Sequence, residues 1–426
     1  MRAAGESRPR VKAVLYRKSI PRYLLVRGLG RRLPGIATGP CAPLAFTEVA
    51  EPALPTARWV RVRPRLCGIC GSDLATIQAQ GSPYFSAMTS FPFVLGHEVV
   101  GDVVETGAEV TRVAPGERVV LAPVLACAVR GLDACAACRR GQPGNCEHVT
   151  RGPIAAGIQT GFCRDTGGGM TTGTFVAHEI QLHRVPDLVP DEAAVLVEPW
   201  SCALHAVLAA RLTDDMTALV LGSGTMGLLT IAALRALGSR VRVLAVARYS
   251  HQERLARALG ADQVLPGHST APLDEAVAQE TGATILRPEL GRTVFQGGAD
   301  VTFDCVGSSS TIDDALRYTR ARGTMVLVGM PAIPRGIDWT AIWYKELQVR
   351  GAYTQAIEEV AGERIGSFEL ALRLTGAHAA RLAPLVTARF PLADYRRAFD
   401  HAIHAGRRGG VKTVFAPGLA SGAEGR

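Results

Sequence analysis

Seven residues near the start of the chain, CGICGSD at positions 67–73, gather two thiols, a hydroxyl and a carboxylate around two glycines. Three chemistries suit them. A redox disulfide would use both Cys67 and Cys70, a zinc ribbon would pair them with a second CxxC, and a catalytic metal site would use only one of the two. Cys70 is followed 27 positions later by His97 in LGHEVVG, with Glu98 beside it, and another carboxylate, Glu198, stands in LVEPWS. Three protein ligands of these kinds leave the fourth position of a tetrahedral zinc open to water or substrate. Singly, each residue also suits an inert role: a small buried thiol, a satisfied core histidine, a solvated glutamate.

A second cluster has a different character. CAVRGLDACAACRRGQPGNC places Cys127, Cys135, Cys138 and Cys146 in one loop with a CxxC at its centre, and four thiolates close a tetrahedron. Further along, Gly222, Gly224 and Gly227 space a GxGxxG between an apolar strand-like run and an Ala- and Leu-rich helix-like run. In that setting the backbone amides of Ser223, Thr225 and Met226 and the helix N-terminus can hold a pyrophosphate. A dinucleotide site that prefers NAD places an acidic residue at the end of the next strand. This chain has Ala247 there, followed by Arg248 and Tyr249, so a 2′-phosphate meets a guanidinium and no repelling carboxylate. NADP is therefore the expected cofactor, with NAD the alternative.

Two lobes must position these groups. The 426 residues exceed one comfortable core, and 47% apolar against 20% charged residues is a globular balance. From Lys12 to about Val120, short runs such as VKAVLY, RWVRVRP and HEVVGDVVETG between Pro and Gly turns predict a β-rich lobe. After Leu196 the rhythm becomes strand, turn and helix, which predicts a parallel sheet wrapped by helices. PAIPRG breaks this rhythm, a helix is expected around ERIGSFELALRL, and VKTVFAP is expected to close as a strand. The lobe boundaries expected are 11–197 with 345–416 for the zinc-binding lobe and 198–344 for the dinucleotide lobe, with flexible tails at 1–10 and 417–426.

The formal charge of +9 comes almost wholly from scattered arginines, so no nucleic-acid partner is expected. The densest basic stretch, Arg22 to Arg32, reads as a solvated or lobe-capping loop. The start MRAAGESRPR is polar and basic rather than a secretory leader, and no membrane partner is expected. A cytoplasmic location follows as the expectation, and there ten cysteines suit metals better than disulfides.

CGICGSD, GHEVVGDVVETG, the cysteine-rich loop, VEP and VLGSGTMG, in that order, resemble the zinc-dependent medium-chain alcohol dehydrogenase family from Lys12 to about Phe415, in its sorbitol- and threonine-dehydrogenase-like branch. The resemblance implies an α/β fold: a β-rich GroES-like catalytic lobe and a doubly wound Rossmann lobe. It implies Cys70 and His97 as catalytic zinc ligands, with Glu198 in the third position or Glu98 in its place. It also implies Ser72 as the hydroxyl that takes the substrate proton, Asp73 as a supporting partner, and a structural role for Cys67. A structural zinc is implied at residues 127–146, although Leu132 stands where the first of four cysteines is usual and Cys127 must reach in. Val306 and Gly329 resemble strand ends near the nicotinamide. Relatives often carry a histidine shortly after the aspartate, where this chain has Leu74 and Ala75. The implied activity is hydride transfer between a nicotinamide cofactor and a secondary alcohol, polyol or matching ketone, with two zinc ions per chain, in a homodimer or homotetramer. A zinc-free enone or quinone reductase and a non-catalytic NADP-binding protein are the alternatives.

Overall fold

In the computed structural model the described residues are 8–419, apart from Arg31, His268 and Ser269. The expected flexible tails therefore lie mostly outside the described residues. The chain divides into two compact units, one of residues 1–198, 375–405 and 412–426, the other of 199–374 and 406–411.

The first unit is β-rich because its strands alternate apolar and polar side chains, as Trp59–Gly68 does. That strand is central to a seven-stranded sheet, pairing antiparallel with Glu98–Thr106, Phe175–His178 and Lys412–Phe415. Pro64 lacks an amide proton for the ladder, and the register shifts between Pro64 and Leu66 to accommodate it. A smaller sheet joins Leu44–Ala50, Arg10–Tyr16 and Phe93–Val94. Val62, Cys67, Val99, Phe399 and Phe415 belong to the apolar core of this unit. The register does the positioning: Gly68 faces Glu98 on one neighbouring strand and Val414 on the other.

The second unit carries a six-stranded parallel sheet in the order Gln263–Pro266, Arg242–Ala247, Thr217–Leu221, Ala299–Asp304, Thr319–Leu327, Gln348–Gly351. Numbered by sequence within the sheet, this order is 3-2-1-4-5-6, the doubly wound pattern whose strand order reverses between the parallel strands ending at Leu221 and Asp304. Helix Thr225–Ala236 is buried from Gly227 to Leu234, which explains why its sequence is apolar on every side.

Three segments differ from the sequence expectation. Residues 345–374 lie with the second unit, because Gln348–Gly351 completes the parallel sheet at its edge. Glu363–Gly366 pairs with Ile357–Val360 as a hairpin, and the helix begins only at Ser367. The basic stretch expected as a loop is mostly helix, Ile20–Leu29, entered through Pro21 in its first turn.

Candidate metal centres and dinucleotide loop

The opening motif spans a strand end and a helix start. Cys67 closes the strand and is fully buried, its sulfur so tightly enclosed that a Cβ on Gly96 would lie 2.5 Å from it and one on Gly169 2.8 Å. Burial pushes its thiol well above the ordinary range, with the nearby Asp73 and Glu98 charges adding to the effect, so it stays protonated and unreactive. Cys70 lies three residues on, at the cap of helix Gly71–Ile77, where its amide donates to Asp73 Oδ2 at 3.0 Å. The two thiols are free cysteines in different surroundings.

Around Cys70 the first unit gathers His97 and Glu98, whose ligand atoms all lie within 4.8 Å of one another and of the Cys70 sulfur. Ser72 Oγ is 3.4 Å from His97 Nε2, and Asp73 Oδ1 is 3.6 Å from His97 Nδ1. Burial opposes a charge on this imidazole, yet Asp73 and Cys70 outweigh it and hold His97 up at about 10. Asp73 itself is raised, chiefly by burial. Glu198, also buried, is outside the 4.8 Å group, although its charge is felt at His97. Buried atoms His97 Nδ1 and Asp73 Oδ1 lack a well-formed hydrogen bond. A soft thiolate, an imidazole and a carboxylate at this separation suit zinc, and the unfinished hydrogen bonding around them fits a set completed by a cation.

Sequence reasoning missed Lys412. It is buried, its Nζ contacts Glu98 Oε2 and donates to Ile69 O at 3.0 Å. Burial works against its charge, but Glu98 and Cys70 hold the ammonium above its usual range. The contact exists because Gly68 lies between the two strands: a Cβ there would come within 1.9 Å of Glu98 Oε2 and 2.9 Å of Lys412 Cε. No spacing rule links positions 98 and 412; only the sheet register brings them together.

The four cysteines of the loop form the second group, with sulfurs within 4.8 Å. Cys127 does reach in: its sulfur is 3.5 Å from that of Cys146 and accepts from the Cys135 amide at 3.3 Å. Amides of Glu147 and His148 point at the sulfurs of Cys135 and Cys146. Burial would raise the Cys135 thiol, but the amides of Glu147 and Cys138 and neighbouring thiols bring it down to about 6. Such N–H groups favour thiolates, and four of them suit a closed tetrahedral zinc. Two more residues escaped the sequence reading. His148 Nδ1 lies 3.3 Å from Cys127 Sγ. Arg130 is buried, and all its guanidinium N–H donors reach carbonyls, those of Leu125, Arg151, Ile154, Ala155 and Gly157, at 2.7–3.1 Å.

In the second unit the glycine loop follows strand Thr217–Leu221. Gly222 has φ +90°, and a Cβ on Gly227 would lie 1.8 Å from Gly222 O, so both must be glycine. A Cβ on Gly224 would meet nothing within 4 Å, which leaves an open approach for a pyrophosphate to the amides at the start of helix Thr225–Ala236. Ser223 is turned away from that space, donating to Val246 O at 3.0 Å, and Thr225 Oγ1 donates to Val411 O. Met226 lies in the first turn of the helix. Arg248 is exposed just past its strand, with its guanidinium 5.9 Å from the Tyr249 ring. Val306 is half exposed beyond the strand ending at Asp304, and a Cβ on Gly329 would lie 2.3 Å from Gly307 N.

Comparisons with known proteins agree with this anatomy. Residues 56–187 match the alcohol dehydrogenase GroES-like domain, and 225–365 match the zinc-binding dehydrogenase domain. The chain is 29% identical to L-idonate 5-dehydrogenase of Vitis vinifera over 363 residues, covering 84% of this chain and 87% of that protein. It is 27% identical to sorbitol dehydrogenase 1 of Saccharomyces cerevisiae, covering 89% and 97%. The crystal structure of 2R,3R-butanediol dehydrogenase from Bacillus subtilis resembles it with a TM-score of 0.67 and 25% identity, over 96% of this chain and 99% of that one.

Proposed function

The chain belongs to the zinc-dependent medium-chain alcohol dehydrogenase family, and from that premise we propose that it oxidises a secondary alcohol or polyol, or reduces the matching ketone, with NADP as the preferred partner. The observation that carries this reading is the convergence of Cys70, His97 and Glu98 with the Ser72 hydroxyl beside the imidazole. Cys70, His97 and one of the carboxylates Glu98 or Glu198 would hold the catalytic zinc, and Cys127, Cys135, Cys138 and Cys146 the structural one. When bound, the catalytic metal supplies a Lewis acid that acidifies an alcohol or polarises a carbonyl, and the nicotinamide supplies or accepts the hydride.

The chain's own residues do the rest. Ser72 takes the hydroxyl proton, being near His97 on the first turn of a helix that fixes it. Asp73 holds the Cys70 backbone through one oxygen and faces His97 with the other, setting the orientation of both. Lys412 restrains Glu98, so the ion pair sets how far that carboxylate can turn toward a metal. Leu74 packs against the core, and neither it nor Ala75 can carry a proton onward from Ser72. Gly222, Gly224 and Gly227 receive the pyrophosphate, and the exposed Arg248 takes the 2′-phosphate. The sheet edge at Gln348–Gly351, with Trp339, Trp343, Tyr344 and Val349 exposed around it, supports assembly of like copies as a dimer or tetramer.

One experiment addresses these statements together. Purified protein is assayed for metal content and for reduction of NADP and NAD with a panel of secondary alcohols and polyols, alongside Arg248→Ala. Zinc with alcohol-dependent NADP reduction is the expected result, and Arg248→Ala should erase a preference of about ten- to a hundredfold. Zinc-free protein that reduces enones, or cofactor binding without turnover, would replace the reading.

A further inference from the structure

The helix Ile20–Leu29 is built inside out for a surface helix. At about 100° per residue, Ile20, Leu24, Gly28, Pro21, Leu25 and Leu29 follow one another around a continuous half of its surface, and all are exposed, Ile20 by 65% and Leu24 by 59%. Val26 and Tyr23 occupy the opposite half and pack against the core of the first unit. Arg22 and Arg27 stand at the two borders between these halves. A helix of this kind ordinarily turns its apolar stripe inward and its charges outward.

Charge adds a second observation. Arg17, Lys18, Arg22, Arg27, Arg31 and Arg32 are cationic, and no acidic residue occurs from Val11 to Thr47. The arginines whose bonds are defined use neutral oxygens: Arg22 donates to Ala42 O at 3.2 Å, and Arg27 to Tyr23 OH at 2.9 Å and Ala79 O at 3.2 Å. Among the described residues of this stretch, none forms an ion pair. Arg22 and Arg27 are thus held in place by neutral partners, with their charge uncompensated.

We propose that this helix docks the protein on an anionic lipid bilayer, its leucines entering the headgroup layer while the flanking arginines meet lipid phosphates. A second copy is disfavoured as the occupant, because a two-fold contact through this helix would set its cations, Arg22 and Arg27 among them, against their own copies. Nucleic acid would engage the arginines and leave the apolar half without a role, and Tyr23, the one aromatic of the helix, faces inward.

Flotation of the full-length protein with vesicles tests this. Binding to phosphatidylcholine mixed with phosphatidylglycerol, weakening with salt and absent with phosphatidylcholine alone, is expected. Ile20→Ser with Leu24→Ser should reduce partitioning at least tenfold, and Arg17→Gln or Lys18→Gln by about fivefold each, with melting temperature and turnover of soluble substrate unchanged. The proposal is overturned if anionic vesicles do not bind, or if binding survives the paired serine substitution. It is equally overturned if the protein retains duplex DNA but no vesicle, or if the serine variants instead change the oligomeric state in free solution.

Discussion

The two sulfur-bearing sites of the first unit are assembled in opposite ways. The four-cysteine loop is a local construction: its ligands fall within twenty residues, backbone amides point at their sulfurs, and Arg130 ties the surrounding turns together. The mixed site is a long-range one, drawing Cys70, His97, Glu98 and Lys412 from separate strands and a helix start, and it leaves buried polar atoms of His97 and Asp73 without good hydrogen bonds. A closed set of like ligands gains from being finished, since a structural metal contributes folding energy. An open set must keep a place for a reactant, so its protein partners cannot satisfy one another fully. On the proposed function, the difference would separate a site that stabilises from one that reacts.

The sharpest way to break that contrast is to remove one sulfur from each site. Cys70→Ala should reduce turnover by about a thousandfold or more, while the melting temperature moves little, because Cys70 is only partly buried and the Asp73 bond is to its backbone. Cys138→Ser should do the reverse. One equivalent of zinc is lost and stability falls by roughly 4 kcal/mol, with turnover per folded molecule retained. If the two substitutions gave the same pattern, metal analysis and denaturation together would show the proposed division of labour to be wrong.

A smaller effect tests how the open site is held. Lys412→Met leaves Glu98 buried without its cation, and a loss of about 3 kcal/mol is expected. Combining it with Glu98→Gln should recover most of that stability, since the remaining partner no longer carries a charge. Urea denaturation of the four forms measures the coupling. Additive losses would mean that Lys412 and Glu98 do not act as a pair.

The contrast also explains what could be read from the sequence. The thiol loop, the glycine loop and CGICGSD are legible because spacing along the chain is the chemistry, and Cys127 reaches the position that Leu132 does not fill. Lys412 was illegible because strand register, not spacing, delivers it to Glu98. Arg130 was hidden among 47 basic residues, since nothing local distinguishes a buried guanidinium from a solvated one. The helix Ile20–Leu29 reads as a loop in the sequence because its charges are dense while its leucines, lying outward, give no core-facing pattern. ERIG reads as part of a helix because a four-residue strand has too little periodicity to announce itself.

The smallest of these effects concerns Arg130, and it asks whether the closed site is braced by charge or by shape. Its donors are all placed on carbonyls, four of them in the turns between Arg151 and Gly157 and the fifth on Leu125, two residues before Cys127, so the side chain acts as a clamp across both ends of the loop. Burial lowers its pKa, and the neighbouring sulfurs of Cys163, Cys146 and Cys127 work the other way, which is how a buried cation persists with no carboxylate bonded to it. Arg130→Lys keeps the positive charge but has three donors on a narrow ammonium that cannot span the same carbonyls. With two or more buried carbonyls left unpaired, stability should fall by about 2 kcal/mol, and the loop should become cleavable by protease at lower chelator concentration than in the parent. Turnover at saturating substrate should remain. A lysine variant indistinguishable from the parent in both denaturation and proteolysis would mean that charge alone braces the site, and that its local construction rests on the thiols and not on the clamp around them.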